Sequence, residues 1–239
     1  MAGHSKWANI KHRKDRADRA KGKIFSRIAK EIISAVKVGG ADPKGNTRLR
    51  LALQKAKAAN MPNDNIERNI TKASSKDQSN YDELTYELYG HAGVGLIVEG
   101  MTDNRNRFAS DIRIATNKRG GNVANPGAVS FNFDRKGILQ IEKDNIDEET
   151  IFADAIDCGA QDFDQEDNLY MVITEPEDLY EVKDKLEEKS YTCAEATITM
   201  IPKVHVECSL EDQEKNLALI AWLEDIDDID MVYHNMDIK

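Results

Sequence analysis

"GILQIEKDNIDEETIFADAIDCG", residues 137–159, changes period halfway along. GILQIE (137–142) is a short apolar run of strand length, and EETIFADAIDCG (148–159) carries its apolar residues at helical spacing before a terminal glycine. LYMVITE (169–175), EDLYEVKDKLEEK (177–189) and EATITMI (195–201) then continue as strand, helix and strand. Residues 134–202 therefore hold a β-α-β-α-β unit able to close a small sandwich of its own.

The flanks are incomplete separately. Before the unit come two strands, ELTYELYG (83–90) and VGLIVEGM (94–101), a helix through NRNRFASDIRIATNKRG (104–120) and a strand AVSFNF (128–133). After it come a strand KVHVEC (203–208), a helix EDQEKNLALIAWLEDI (211–226) and a strand DMVYHN (230–235). Together they make one further unit. The expectation is an α+β protein with two small α/β sandwich (ferredoxin-like) domains, a discontinuous middle one at 81–133 plus 203–239 and an inserted one at 134–202.

Residues 1–80 read differently. The first 22 are polar and carry little intrinsic order, and a helix starts near Lys23. Ile24, Ile28, Ile32 and Val36, joined by Phe25, recur on one face, with Lys23, Arg27, Lys30 and Lys37 opposite and Gly39-Gly40 as the stop. A second helix spans about 46–60 with Leu49, Leu53 and Ala56 inward, Arg48/Lys55 on one flank and Arg50/Lys57 further round. Met61-Pro62 ends it, Asn63 or Asp64 caps a third helix with Ile66, Ile70 and Ala73 inward, and SSKDQSN (74–80) is a linker. The N-terminal domain, 1–80, is a basic three-helix module with an arm.

Charge divides the same way. The chain of 239 residues has a net charge of -10, but residues 1–80 hold 19 Lys/Arg against 7 Asp/Glu, a net of +12, and residues 81–239 have a net of -22. Such a split points to a module for a polyanion joined to an acidic body. In the arm, His4, Lys6, Lys11, His12, Arg13, Lys14, Arg16 and Arg19 are suited to neutralising phosphates. Lys23, Arg27 and Lys30 continue that footprint, and Arg48 and Lys55 extend it to the second helix. Trp7 either stacks on an unpaired base or packs against Ile10 or the helical core. The basic amphipathic helix from Lys23 would suit a membrane surface, but its apolar face is needed for the small core, so no membrane partner is expected.

Other clusters carry less. Asp103 or Asn104 caps the helix that follows, with Arg105 and Arg107 as a secondary anion site against the plain alternative of a capped helix with surface arginines. RGGN (119–122) serves a helix end, since neither GxGxxG nor GxxxxGK[ST] occurs. EDIDDID (224–230) lacks the glycine and terminal glutamate of a calcium loop, and the five histidines have no ligand spacing. Cys158, Cys193 and Cys208 are widely spaced, as befits structural thiols in a reducing compartment. No apolar run approaches the ~18 residues of a membrane span, and Asp15 and Asp18 argue against a transit peptide, so the expected location is the cytoplasm. No catalytic site, metal, cofactor or small-molecule substrate is expected.

GHSKWANIKHRK (3–14), DPKGNTRLRLALQKAKAANMPNDNIERNI (42–70), MTDNRNR (101–107), RGGN (119–122) and WLEDIDDIDMVYHN (222–235) resemble the YebC/PmpR family over nearly the whole chain. The resemblance implies three domains and a cytoplasmic, non-enzymatic, DNA-binding regulator of transcription. It also implies an alternative, a ribosome- or ribosomal-RNA-associated translation factor relieving stalled synthesis. The sequence departs from the family pattern where YGHAG (89–93) replaces Tyr-Gly-Pro-Gly-Gly, Phe108 replaces Thr, and NPGAV (125–129) replaces Gly-Ser-Val. The expected partner is nucleic acid, DNA or ribosomal RNA, with the ribosome or the transcription machinery around it. A distant rival is a metal-dependent enzyme acting on nucleic acid through Asp225, Asp227 or Asp228; another is a protein-only scaffold.

Overall fold

The computed structural model describes residues 17–73, 81–143, 146–166 and 168–238, with the side chains of 17–21 outside the description. The chain forms two compact units, one of residues 131–205 and one containing the rest of the described chain. The fold is mixed α+β: a three-helix module followed by two α/β sandwiches, the first of them interrupted by the second.

In the larger unit, α1 (Ala17–Gly39), α2 (Thr47–Ala58) and α3 (Asn63–Ala73) enclose Ile28, Ile32, Ile33, Val36, Leu49, Ala52, Ala56 and Ile66. Helix α1 is already formed at Ala17, six residues before its expected start, and Ile24 is 44% exposed rather than part of the buried stripe. Asn46 joins α1 to α2. Its Oδ1 accepts from Leu49 N at the start of α2, while its Nδ2 donates to Ala35 O and Gly40 O at the end of α1. One buried amide thus satisfies orphan groups of two helix ends. Asn63 lies inside α3, with Pro62 O accepting the first helical bonds, so it is not the cap the sequence suggested.

The same unit continues through β1 (Asp82–Tyr89), β2 (Gly95–Thr102), α4 (Arg105–Arg119) and β3 (Asn122–Val123). It resumes after the insertion with α7 (Leu210–Asp225) and β8 (Ile229–His234), giving an antiparallel sheet of order β3-β1-β2-β8. Phe108, Ile112 and Ala115 of α4 and Leu219, Ile220 and Leu223 of α7 cover Leu88, Leu96, Val98 and Val232 of the sheet.

Two expected strands are absent from the sheets. Residues 128–132 form a turn and a single 3₁₀ turn, because Ala128 N donates to Asn125 O and the buried Glu87 carboxylate takes the N–H groups of Gly127 (2.6 Å), Val129 (2.5 Å) and Ser130 (2.8 Å), so these are not free for a ladder. These bonds outweigh burial and hold the Glu87 carboxyl below its ordinary pKa. Segment 203–208 makes one parallel bridge, Val206 to Met236.

The turn between β1 and β2 carries Ala92 at φ 56°, ψ 22°. A left-handed conformation costs an L-residue with a Cβ about 1–2 kcal/mol. Asn216 pins the turn, accepting from His91 N and donating to His91 O. Ala92→Gly is expected to keep the turn and raise stability by up to about 1 kcal/mol, net of the extra freedom glycine gives the unfolded chain. A thermal melt that moves down instead would refute the strain.

In the unit 131–205, β4 (Phe133–Glu142), α5 (Glu148–Cys158), β5 (Asp162–Glu166), β6 (Leu169–Thr174), α6 (Leu179–Glu188) and β7 (Cys193–Pro202) follow in order. Strand β5 went unread in the sequence. Its presence makes the unit β-α-β-β-α-β, with antiparallel sheet order β5-β6-β4-β7, the ferredoxin-like arrangement. Ile151, Ala155, Val182 and Leu186 of α5 and α6 pack on Leu139, Ile141 and Val172.

Candidate nucleic-acid interface

The arm residues His4, Lys6, Trp7, Lys11, His12, Arg13, Lys14 and Arg16 lie outside the described residues, and Arg19 is described only as part of the α1 backbone.

Lys23, Arg27 and Lys30 of α1 are engaged by groups of the chain itself, where the sequence-based expectation had them continue a solvated phosphate footprint. Lys30 is buried, its Nζ donating to Met101 O (2.9 Å) and Asp227 O (3.1 Å). Lys23 Nζ donates to Glu224 O and, at 3.0 Å, to Ile226 O. Glu224 O, Ile226 O and Asp227 O belong to the last turn of α7, its cap and the segment beyond, where helix carbonyls lack intrahelical donors and the helix dipole is negative. Desolvation lowers the Lys23 pKa against the opposing pull of Asp225, Asp227, Glu224 and Asp230. Arg27 pairs with Glu31 through Nε at 3.2 Å. Burial opposes the Arg27 charge, but Glu31 and other groups, Asp230 and Glu99 among them, outweigh it and raise its pKa. Lys23 and Lys30 are therefore spent inside the fold on carbonyls of segment 224–227 and of β2, and Arg27 on Glu31.

Helix α2 divides its cations. Lys55 pairs with Glu31 at 2.8 Å, and Arg48 pairs with Glu83. Arg50 and Lys57 keep the same seven-residue spacing, are exposed, and have no carboxylate partner among the described residues. A polyanion finds fewer competitors at Arg50 and Lys57 than at Arg48 and Lys55. Spacing alone gave no means of choosing between the two pairs.

At the candidate secondary anion site the arginines meet internal carboxylates. Asn104 caps α4, accepting from Asn106 N and Arg107 N, but the anions at the neighbouring arginines are the chain's own. Arg105 holds Asp82 through two bonds of 2.7 and 3.0 Å. Arg107 holds Asp103 at 2.7 Å and Asp228 at 2.8 Å, and Asp228 also accepts from Thr102 Oγ1 at 2.9 Å. Asp228, the third carboxylate of the rival metal site, is thereby engaged by a guanidinium and a hydroxyl. Among the described residues no group of three or more His, Cys, Asp or Glu is placed to hold a metal ion, and no helix is long and apolar enough to cross a membrane.

Comparison with known proteins agrees with this architecture. Residues 5–76 match the profile of the TACO1/YebC protein N-terminal domain, and residues 81–236 match that of the TACO1/YebC second and third domain. A probable transcriptional regulatory protein of Protochlamydia amoebophila is 65% identical over 238 residues, covering 100% of this chain and 97% of that protein. One from Chlamydia pneumoniae is 61% identical over 237 residues, covering 99% of this chain and 100% of that protein. The crystal structure of a conserved hypothetical protein from Aquifex aeolicus superposes with a TM-score of 0.79 at 39% identity, covering 93% of this chain and 92% of that one. The chain, matched from residue 5 to residue 236, belongs to the TACO1/YebC family.

Proposed function

We propose that this protein is a non-enzymatic, cytoplasmic, DNA-binding regulator of transcription that grips the sugar-phosphate backbone with its N-terminal arm and with the Arg50/Lys57 face of α2. The observation that carries this reading is the segregation of charge, +12 in residues 1–80 against -22 in the remainder. The exposure of Arg50 and Lys57 without carboxylate partners among the described residues supports it, as do the names of the relatives. In this reading residues 1–80 are the binding domain, 81–133 with 203–239 the middle domain, and 134–202 the inserted domain. Structured ribosomal RNA is the second target, favoured by the single aromatic of the arm, Trp7, set among cations.

Backbone contacts release counterions, so affinity falls as salt rises, with a slope set by the number of phosphates neutralised. Arg50→Ala, Lys57→Ala, Lys11→Ala and Arg13→Ala are each expected to reduce that slope by about one unit. Arg48→Ala and Lys55→Ala change it less, because those cations already face carboxylates. Fluorescence anisotropy with a labelled DNA duplex and a structured RNA, at several salt concentrations, reads the slopes. An affinity indifferent to salt would sink the mechanism. Cross-linking in cells then separates the targets: promoter DNA supports transcription, and ribosomal RNA without DNA supports translation.

A further inference from the structure

The ferredoxin-like unit carries an exposed apolar stripe that its own core does not use. Helix α5 buries Ile151, Ala155 and Cys158 against the sheet. On its outer side Phe152 is 49% exposed and Ile156 is 42% exposed, one helical turn apart. Single exposed apolar side chains are ordinary. Phe152 also meets the half-buried Phe163 of β5 edge-on, with ring centroids 5.7 Å apart and planes at 81°, and Phe163 lies 5.4 Å from Tyr170 of β6. An aromatic row therefore runs from the core to the surface and fixes Phe152 in place.

Three observations narrow what could cover the stripe. First, β5 ends the sheet, yet Phe163 N donates to Asp162 Oδ1 (2.9 Å) and Gln165 N donates to Asp164 Oδ1 (2.8 Å). The chain's own carboxylates occupy N–H groups that an added strand would need, so docking here uses side chains rather than strand addition. Second, residues 131–205 contain 20 Asp/Glu and 7 Lys/Arg, a net of -13, which repels nucleic acid, anionic membrane and a second copy of the unit. Third, Glu149 and Asp157, on the exposed side of α5, pair with no cation among the described residues, whereas Asp154 is held by Lys189 and Tyr191.

We propose that α5 is a protein-docking surface, and that Phe152 and Ile156 anchor a basic polypeptide segment whose apolar side chains seat on them while its cations meet Glu149 and Asp157. Apolar anchors ringed by complementary charge are the usual form of such a contact. This surface is independent of the Arg50/Lys57 face, because it lies on the other unit and takes a partner of opposite charge.

The test uses the full-length protein and, as probe, a synthetic amphipathic helix of about 20 residues with leucine on one face and lysine on the other. A scrambled peptide of the same composition is the control. Methyl NMR of Ile156 and Ile151 should show saturable shifts with the amphipathic peptide and weak ones with the scrambled peptide. Phe152→Ser/Ile156→Ser should weaken binding, read by anisotropy of the labelled peptide, about tenfold or more. Both side chains are exposed, so the double variant should melt as the native chain does and bind DNA and RNA unchanged. Four results would overturn the proposal: no shift at millimolar peptide, equal binding of the scrambled peptide, binding that survives the double substitution, or shifts at these methyls caused by nucleic acid or by raising the protein concentration alone.

Discussion

Phe108→Ala is expected to cost about 4 kcal/mol, the range for deleting a fully buried aromatic ring from a packed core. Phe108 has no exposed surface, lies 5.5 Å from the Tyr86 ring, and is packed by the sheet on one side and α7 on the other. Its ring also fills the space beside Gly100, where a Cβ would come within 2.6 Å of it and still closer to Asp228 O. Gly100 sits at the irregularity where β2 shifts register against β8, so ring, glycine and strand crossing form one packed unit. The sheet cannot close over the void without moving that crossing. The thermal transition of the unit should fall by about 10 °C, as expected for a chain of this size. Phe108→Thr should cost a comparable amount, since it empties nearly the same volume and buries a hydroxyl. A loss below about 1 kcal/mol for Phe108→Ala would show that the surroundings collapse freely and that the packing argument is wrong.

Periodicity made much of the fold legible. The four-residue recurrence of Ile28, Ile32 and Val36 and the alternation of strand and helix through 137–201 rest on local geometry, which a sequence displays directly. Strand β5 escaped because DFDQE is rich in aspartate, a poor strand former, and only the inward Phe163 and the ladder to β6 hold it extended. The strand expected over 128–133 failed for the opposite reason: its residues suit a strand, but Glu87, 42 and 43 residues earlier, claims the N–H groups of Val129 and Ser130. The candidate site was less legible than the fold. Arg48/Lys55 and Arg50/Lys57 are indistinguishable by spacing, and only the positions of Glu83 and Glu31 in space separate engaged cations from available ones. Lys23 and Lys30 read as solvent-facing because charge and burial seldom coincide. Their acceptors lie about 200 residues away along the chain, or in β2.

Lys30 supplies the sharpest contrast between a phosphate contact and an internal tie. As a phosphate contact it would give Lys30→Met a lower salt slope for nucleic acid and little change in stability. As placed, the substitution strips donors from Met101 O and Asp227 O and removes a cation from beside Asp230. That should cost about 3 kcal/mol, the usual penalty for removing one partner from a buried polar arrangement. The salt slope should not fall, and it should rise together with affinity if Lys23 and Arg27 gain phosphate contacts. Affinity should rise if segment 224–230 masks α1, because loosening the tie frees Lys23 and Arg27 for phosphate. Asp230 provides the internal control. Burial pushes its carboxyl up to about 6, against the pull of Arg27, Lys30 and Lys23, while Glu31 adds to the rise. A carboxyl raised in the fold contributes stability only while protonated, so that contribution is full below its ordinary pKa and disappears as pH rises through about 6. Asp230→Asn should therefore flatten the pH dependence between about 4 and 7 and stabilise the chain at pH 7.5 by about 1–2 kcal/mol. Its gain should be larger when Lys30 is already methionine, since the uncompensated charge it removes is then greater. Chemical denaturation of the four chains of this cycle at two pH values reads the coupling directly. Additive substitutions would mean that Lys30 and Asp230 do not share one electrostatic site, and a salt slope lowered by one unit in Lys30→Met would return Lys30 to the phosphate footprint.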